Sequence, residues 1–267
     1  MKLTTLKMAV LGALMLPTMS VIAEEAATAA VEAPKSDFSV SGNVGIYSDY
    51  IFRGYTQTEN KPALQGGFDV SHSSGLYAGV WASNVDWTVQ GGSMRDNSVE
   101  IDLYAGFAGE FGKSGLGYDV GVLQFLYPGK DTPGAGLEAD ATEVYVALSY
   151  DFGPFAATLK NYTVVSSEAW AFNEMDGENY TDLSIDVPVG DKVTLSAHVG
   201  HQTIGDPAYP DADYTDWKLN AEYAINDTFS IGAFYTDTDM DKPSWTAANT
   251  GTYLGDATGG AYLSAGF

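Results

Sequence analysis

The chain has 267 residues, no cysteine, and 12 basic against 35 acidic residues, a formal charge of −23. Guanidinium groups come only from Arg53 and Arg95, which excludes a basic nucleic-acid-binding face. The missing thiols exclude a disulfide scaffold and a thiolate metal site, and 17 Tyr, 12 Phe and 5 Trp exclude a disordered acidic chain.

Met1–Ala23 reads as a cleavable signal peptide. Lys2 and Lys7 form its positive start, Met8 to Leu16 its apolar stretch, and Val21-Ile22-Ala23 a small-residue cleavage site. Glu24–Ser36, rich in Ala, Glu and Pro, reads as a flexible periplasmic leader. No later apolar run is long enough for a membrane helix, so the exported chain is either soluble or crosses a membrane as a β-barrel.

From Asp37 to Phe267 the dominant period is two, the signature of strands. In the first segment Phe38, Val40, Val44, Ile46, Tyr50 and Phe52 share one parity, and Ser39, Ser41, Asn43, Asp49 and Arg53 share the other. The alternation recurs through eleven further segments, centred on Phe68, Val80, Leu103, Val120, Val146, Ala157, Ile185, Leu195, Leu219, Ile231 and Leu263. Twelve strands result, and the connections between them alternate in length. Ser71–Gly75, Gly109–Gly115, Asp151–Pro154, Pro188–Lys192 and Asn226–Thr228 have three to seven residues. Gly54–Pro62, Asn84–Asn97, Pro128–Ala141, Val165–Glu178, Gln202–Asp216 and Asp237–Asp256 have nine to twenty. That sorting predicts an all-β, transmembrane, up-and-down antiparallel barrel, trimmed on its periplasmic side and elaborated outside the cell.

The apolar parity carries no charge in any segment. Its aromatics gather at the segment ends: Phe38, Phe107, Tyr118, Tyr150, Phe155, Tyr223, Phe229 and Phe267 beside the short turns, and Tyr50, Phe52, Trp217 and Tyr235 beside the long loops. Two aromatic belts around an aliphatic band suit lipid headgroups and chains. The expected partners on this face are outer-membrane lipid and lipopolysaccharide. Phe267, ending an amphipathic strand, resembles the signal read by the barrel-assembly machinery.

The stretch Tyr47-Ser48-Asp49-Tyr50-Ile51-Phe52-Arg53-Gly54-Tyr55-Thr56-Gln57-Thr58, with Pro62-Ala63-Leu64-Gln65-Gly66-Gly67-Phe68-Asp69 and Ser71 to Val85, resembles the TorF-type porin family of proteobacteria. The resemblance is specific over about residues 43–85 and diffuse beyond. It implies an outer-membrane barrel of Gram-negative bacteria and a channel, and supplies no substrate or binding residues.

The polar parity is expected to line the pore. Its acids are Asp49, Asp69, Glu100, Asp102, Asp119, Glu143, Asp182, Asp186 and Glu222, and its bases Arg53, Lys160 and Lys218. Twelve strands give a backbone radius of roughly 12 Å and an opening of roughly 10–12 Å before any loop folds inward. An acidic lumen of that width points to passive diffusion of small hydrophilic solutes with a preference for cations. The competing reading is a non-conducting structural or adhesive barrel, with Trp87, Trp170 and Trp245 in the long loops either binding another surface or packing over the mouth. Two roles are open to Arg53: one wall of a constriction, or a structural pair with an acid on a neighbouring strand.

No enzyme, cofactor or metal site is expected. Ser71-His72-Ser73 puts its neighbours on opposite faces of a strand, and His198-x-x-His201 lacks the helical HExxH spacing. Asp237, Asp239 and Asp241 begin like a calcium loop, but Lys242 and Ala248 stand where that loop needs Gly and Glu.

Overall fold

The computed structural model describes residues 36–133 and 138–267. The signal-peptide reading of Met1–Ala23 and nearly all of the leader Glu24–Ser36 lie outside the described residues.

Twelve long strands close into one antiparallel barrel. They are β1 (Phe38–Tyr47), β4 (Ala63–His72), β5 (Leu76–Asn84), β6 (Val99–Glu110), β7 (Leu116–Leu126), β8 (Ala141–Asp151), β9 (Ala156–Val164), β10 (Asn179–Val189), β11 (Val193–Gln202), β12 (Tyr214–Ala224), β13 (Phe229–Thr238) and β14 (Thr258–Gly266). Each pairs with its predecessor and successor, and β14 pairs with β1 to close the ring, with Val44 opposite Ala265 and Ile46 opposite Leu263. Closure leaves no free sheet edge, a condition for backbone to sit in hydrocarbon. One short helix, α1 (Trp87–Gln90), is seen among the described residues.

Connections at one end are short, spanning 73–75, 111–115, 152–155, 190–192 and 225–228; those at the other are long, spanning 48–62, 85–98, 127–140, 165–178, 203–213 and 239–257. The alternating lengths read from the sequence are those of the barrel.

The outer face is apolar. Val40, Ile46, Leu64, Leu103, Val146, Leu159, Leu219 and Leu263 point outward and are exposed. In water so many exposed aliphatic side chains would be unfavourable by about 25 cal/mol per Å² of apolar surface; in contact with lipid chains they are not. The molecule is a transmembrane β-barrel, inside out relative to a soluble protein, and its buried residues lie in the lumen and among the long loops.

One boundary differs from the sequence reading. The alternation continues through Phe52, but β1 ends at Tyr47. Residues 48–62 turn inward and form a small hairpin of β2 (Ile51–Phe52) and β3 (Tyr55–Thr56) within the barrel. Arg53 and Gly54, at its tip, have φ of 44° and 87°, and Phe52 pairs with Tyr55 across them. Two consecutive left-handed residues make the tight turn that a two-residue hairpin needs. Tyr50 and Phe52 therefore do not belong to a lipid-facing belt. Tyr50 packs on Trp81 with ring centres 5.4 Å apart, and Phe52 on Phe125 at 5.6 Å.

Candidate functional site: the acidic, tyrosine-lined lumen

The inward hairpin seats itself through both backbone and side chains. Asp49 Oδ1 accepts hydrogen bonds from Thr56 Oγ1 at 2.6 Å and Thr58 Oγ1 at 2.8 Å, folding the loop onto itself. Burial pushes the Asp49 carboxyl up, and these hydroxyls oppose that shift. Thr56 N donates to Leu254 O at 3.1 Å, and Gln57 O accepts from Asp86 N at 2.8 Å. Tyr55 packs on Trp245, with centres 5.0 Å apart. Trp87, Trp170 and Trp245 are all buried, so these three tryptophans pack the loops over and into the mouth.

Arg53 is carried by this hairpin to the opposite wall. Its Nη2 lies 2.7 Å from Glu143 Oε2 on β8, and its Nη1 donates to Gln202 Oε1 on β11 at 2.7 Å. Its guanidinium lies against the rings of Tyr180 (4.3 Å), Phe52 (4.8 Å), Tyr162 (4.9 Å) and Trp170 (5.4 Å). Of the two roles open to Arg53 in the sequence, one was a structural pair with an acid on a neighbouring strand. The neighbours of β1 are β4 and β14, so the partner is across the lumen, because the chain leaves the wall at Ser48.

The other lumen acids are met mainly by hydroxyl groups. Glu100 accepts from Tyr50 Oη at 2.6 Å and from Tyr127 Oη at 2.7 Å. Asp119 accepts from Tyr77 at 2.6 Å, and the Tyr77 hydroxyl also bonds that of Tyr145. Asp69 accepts from Tyr104 at 2.6 Å, Glu222 from Tyr262 at 3.0 Å, and Asp186 from Ser196 at 2.6 Å. Asp182 accepts from Ser184. Asp102 is fully buried, and neither of its carboxylate oxygens has a hydrogen-bond partner. Of the bases, Lys160 is buried over the Tyr145 ring at 3.9 Å, and Lys218 lies over Phe234 at 4.9 Å. A hydroxyl donor serves a carboxylate without bringing an opposing charge, so the acids of the lumen outnumber the bases that could neutralise them.

Sequence reasoning missed two groups of lumen residues. Asp216 and His198 were not among the candidates, yet His198 Nδ1 lies 2.9 Å from Asp182 and its Nε2 3.6 Å from Asp216, linking β10, β11 and β12. The second group is the inward tyrosines. Parity was the available signal: Tyr77, Tyr104, Tyr145, Tyr162, Tyr180 and Tyr262 all alternate with the lipid-facing aliphatics. Glycines on adjacent strands make room for them. Tyr77 is registered opposite Gly106, Tyr104 opposite Gly79, Tyr145 opposite Gly121 and Tyr262 opposite Gly232, and a Cβ at any of these glycines would collide with the tyrosine ring. The rings can therefore lie along the wall, a cross-strand use of glycine that also covers its bare backbone.

Burial is uneven along the axis. The half near the long loops contains Asp49, Arg53, Glu100, Asp102, Glu143, Gln202 and Asp216, all buried, with one continuous cluster of rings joining the inward hairpin to Trp81, Phe125, Tyr162 and Tyr214. The half near the short turns keeps Asp69, Asp186 and Glu222 partly accessible. The outer half is crowded and buried, and below it lies a more accessible acidic vestibule.

A family model described as a bacterial protein of unknown function, Gcw_chp, matches residues 31–267. The chain belongs to the Gcw_chp family. No curated protein matches it. Among solved structures it is similar to the KdgM porin, with a TM-score of 0.51 at 6% identity, covering 85% of this chain and 96% of that one. It is also similar to the KdgM porin in complex with disordered oligogalacturonate, with a TM-score of 0.50, 6% identity, and coverage of 85% and 95%. The COG4313 outer membrane channel from Pseudomonas putida F1 gives a TM-score of 0.47 at 12% identity, covering 91% and 99%. At these identities the likeness concerns the fold: a Gcw_chp chain builds the barrel seen in outer-membrane porins.

Proposed function

We propose that this Gcw_chp protein is an outer-membrane channel for passive diffusion of small hydrophilic solutes, with a preference for cations. The observation that carries the reading is the unbalanced charge of the lumen. Asp69, Glu100, Asp102, Asp119, Asp182, Asp186, Asp216 and Glu222 face it, against Arg53, Lys160, Lys218 and the imidazole of His198 between Asp182 and Asp216, and Arg53 is already spent on Glu143. Carboxylates between low-dielectric walls focus a negative potential that raises the local cation concentration and repels anions. The apolar exterior, the porin-like fold and the resemblance of residues 43–85 to TorF-type porins support placement in the outer membrane, after export by the segment Met1–Ala23. In that reading Phe267, exposed on the outer face at the end of β14, is what the barrel-assembly machinery recognises.

The test is the reversal potential of the purified protein in planar bilayers under a salt gradient. A potential of the sign set by cation flux is expected; one set by chloride flux overturns the preference. The inward hairpin favours a second reading, a barrel closed at rest, since rings from opposite walls meet around it. Absence of any conductance, together with absence of sugar or amino-acid uptake in liposome swelling, selects that reading.

A further inference from the structure

The surroundings of Arg53 have the form of a receptor. Glu143, Tyr162, Tyr180 and Gln202 stand on four consecutive wall strands, β8 to β11, and Trp170 closes the group from the loop between β9 and β10. Only Phe52 comes from the hairpin that also brings the guanidinium. The wall offers what a planar, weakly hydrated cation needs: aromatic faces 4.3 to 5.4 Å from the guanidinium carbon, and two separate acceptors, each 2.7 Å from a different terminal nitrogen. One acceptor is left over. Glu143 Oε1 is buried and has no hydrogen-bond partner. The occupant, by contrast, is held at a cost, since Arg53 adopts φ of 44°, where a residue with a Cβ is strained.

We propose that these wall residues form a binding site for guanidinium-bearing solutes such as arginine, and that Arg53 is its tethered, built-in occupant. The inference rests on the channel reading and names the solute class: among cations reaching the lumen, those ending in a guanidinium compete for the place Arg53 fills. A solute's guanidinium carries the same five N–H donors as Arg53 but is not fixed by the hairpin, so it can turn to serve Glu143 Oε1 as well. An ammonium group forfeits the planar fit between the rings and the fork onto two acceptors.

The experiment empties the site and refills it. Arg53→Gly relieves the left-handed strain, and Arg53→Asn tolerates it. Each variant, folded in detergent micelles, is titrated calorimetrically with L-arginine, L-lysine and L-citrulline at constant ionic strength. Citrulline has nearly the shape of arginine without the charge. Arginine is expected to bind roughly tenfold or more tightly than lysine, citrulline not to bind, and the Arg53→Gly/Glu143→Gln double variant to lose arginine binding. Wild-type protein, its site filled, is expected to bind arginine much more weakly than Arg53→Gly. Equal binding of arginine and lysine, or arginine binding that survives Glu143→Gln, overturns the proposal. So does failure of both single variants to assemble with or without arginine, which makes Arg53 a structural tie alone. Binding is read without current, so a chloride-selective wild-type channel would sink the transport reading and leave this site standing, and failure of Arg53→Gly to bind arginine would do the reverse.

Discussion

Arg53 and Glu143 are 90 residues apart in the chain and form a 2.7 Å ion pair across the lumen. Both side chains are almost completely buried, and no other lumen carboxylate has an arginine partner among the described residues. A buried pair of this kind gains little over a well-packed apolar replacement, but breaking it leaves a charge that water cannot reach. Glu143→Ala is therefore expected to destabilise the barrel by about 3–5 kcal/mol, while Arg53→Ala/Glu143→Ala loses less than the sum of the two single changes. Urea unfolding in detergent, monitored by tryptophan fluorescence, gives the coupling; additive losses would show that the pair does not act as a unit.

The hairpin tip offers a cleaner way to unseat the loop. Gly54 has φ of 87°, and a Cβ there would run into the side chains of Asp216 and Thr238. Gly54→Val is strained by conformation and by collision together, so β2 and β3 should no longer settle against the far wall. The barrel itself, closed by its own ladders, should persist. The expected outcome is a folded protein with a larger single-channel conductance than wild type. An unchanged conductance in a folded variant would mean that the hairpin does not limit the pore.

Much of this architecture is written in the chain at two spacings. Side-chain alternation gives the two faces, because lipid tolerates no charge and water tolerates many; Val146 and Glu143 fall on opposite parities and on opposite sides of the wall. Loop lengths give the up-and-down order. What alternation cannot report is where a strand stops obeying the sheet. Residues 48–52 keep the rhythm of β1 while already turning into the lumen, since an interior lined with rings accepts Tyr50 and Phe52 as readily as a lipid interface does. The partner of Arg53 was illegible for the same reason: a cross-lumen contact has no signature in local spacing. Counting tyrosine as a membrane-belt residue also hid its second use, as hydroxyl donor to the lumen acids.

The tyrosine and glycine pairs make a prediction about volume. Gly106 lies opposite Tyr77, whose hydroxyl donates to Asp119 at 2.6 Å. Gly106→Val would push the Tyr77 ring off the wall and into the lumen. That should cost about 1–3 kcal/mol in stability, as overpacking does elsewhere, and narrow the passage. Gly106→Val/Tyr77→Ala should recover the passage but only part of the stability, because the new Cβ also crowds the Val120 carbonyl oxygen. Thermal melts and conductance of the two variants check this; equal damage in both would mean that the ring is not what Gly106 accommodates.

Charge selection should be concentrated where acids meet water. Asp69, Asp186 and Glu222 are only partly buried in the vestibule, whereas Asp102 and Glu143 are sealed among rings. A field acting on passing ions is set by the accessible groups. The triple variant Asp69→Asn/Asp186→Asn/Glu222→Gln should move the reversal potential in a salt gradient toward zero, and raising ionic strength should produce the same drift in wild type as screening grows. A reversal potential unmoved by the triple change would transfer selectivity to the buried layer around Asp102.

The last expectation concerns the medium outside the wall. Val146 sits in the middle of β8, 49% exposed on the outer face, and Ala147 beside it is buried on the lumen side. If lipid chains surround the barrel, Val146→Arg must bring a charge to the depth where the membrane is driest, a penalty of about 2–4 kcal/mol near the midplane. Val189→Arg, close to the short turn after β10, should cost no more than about 1 kcal/mol because its head can reach the headgroups. Reversible unfolding in lipid vesicles measures both. A soluble environment predicts two small and similar effects, since an exposed arginine is then hydrated at either position; a steep dependence on depth is the signature of a bilayer.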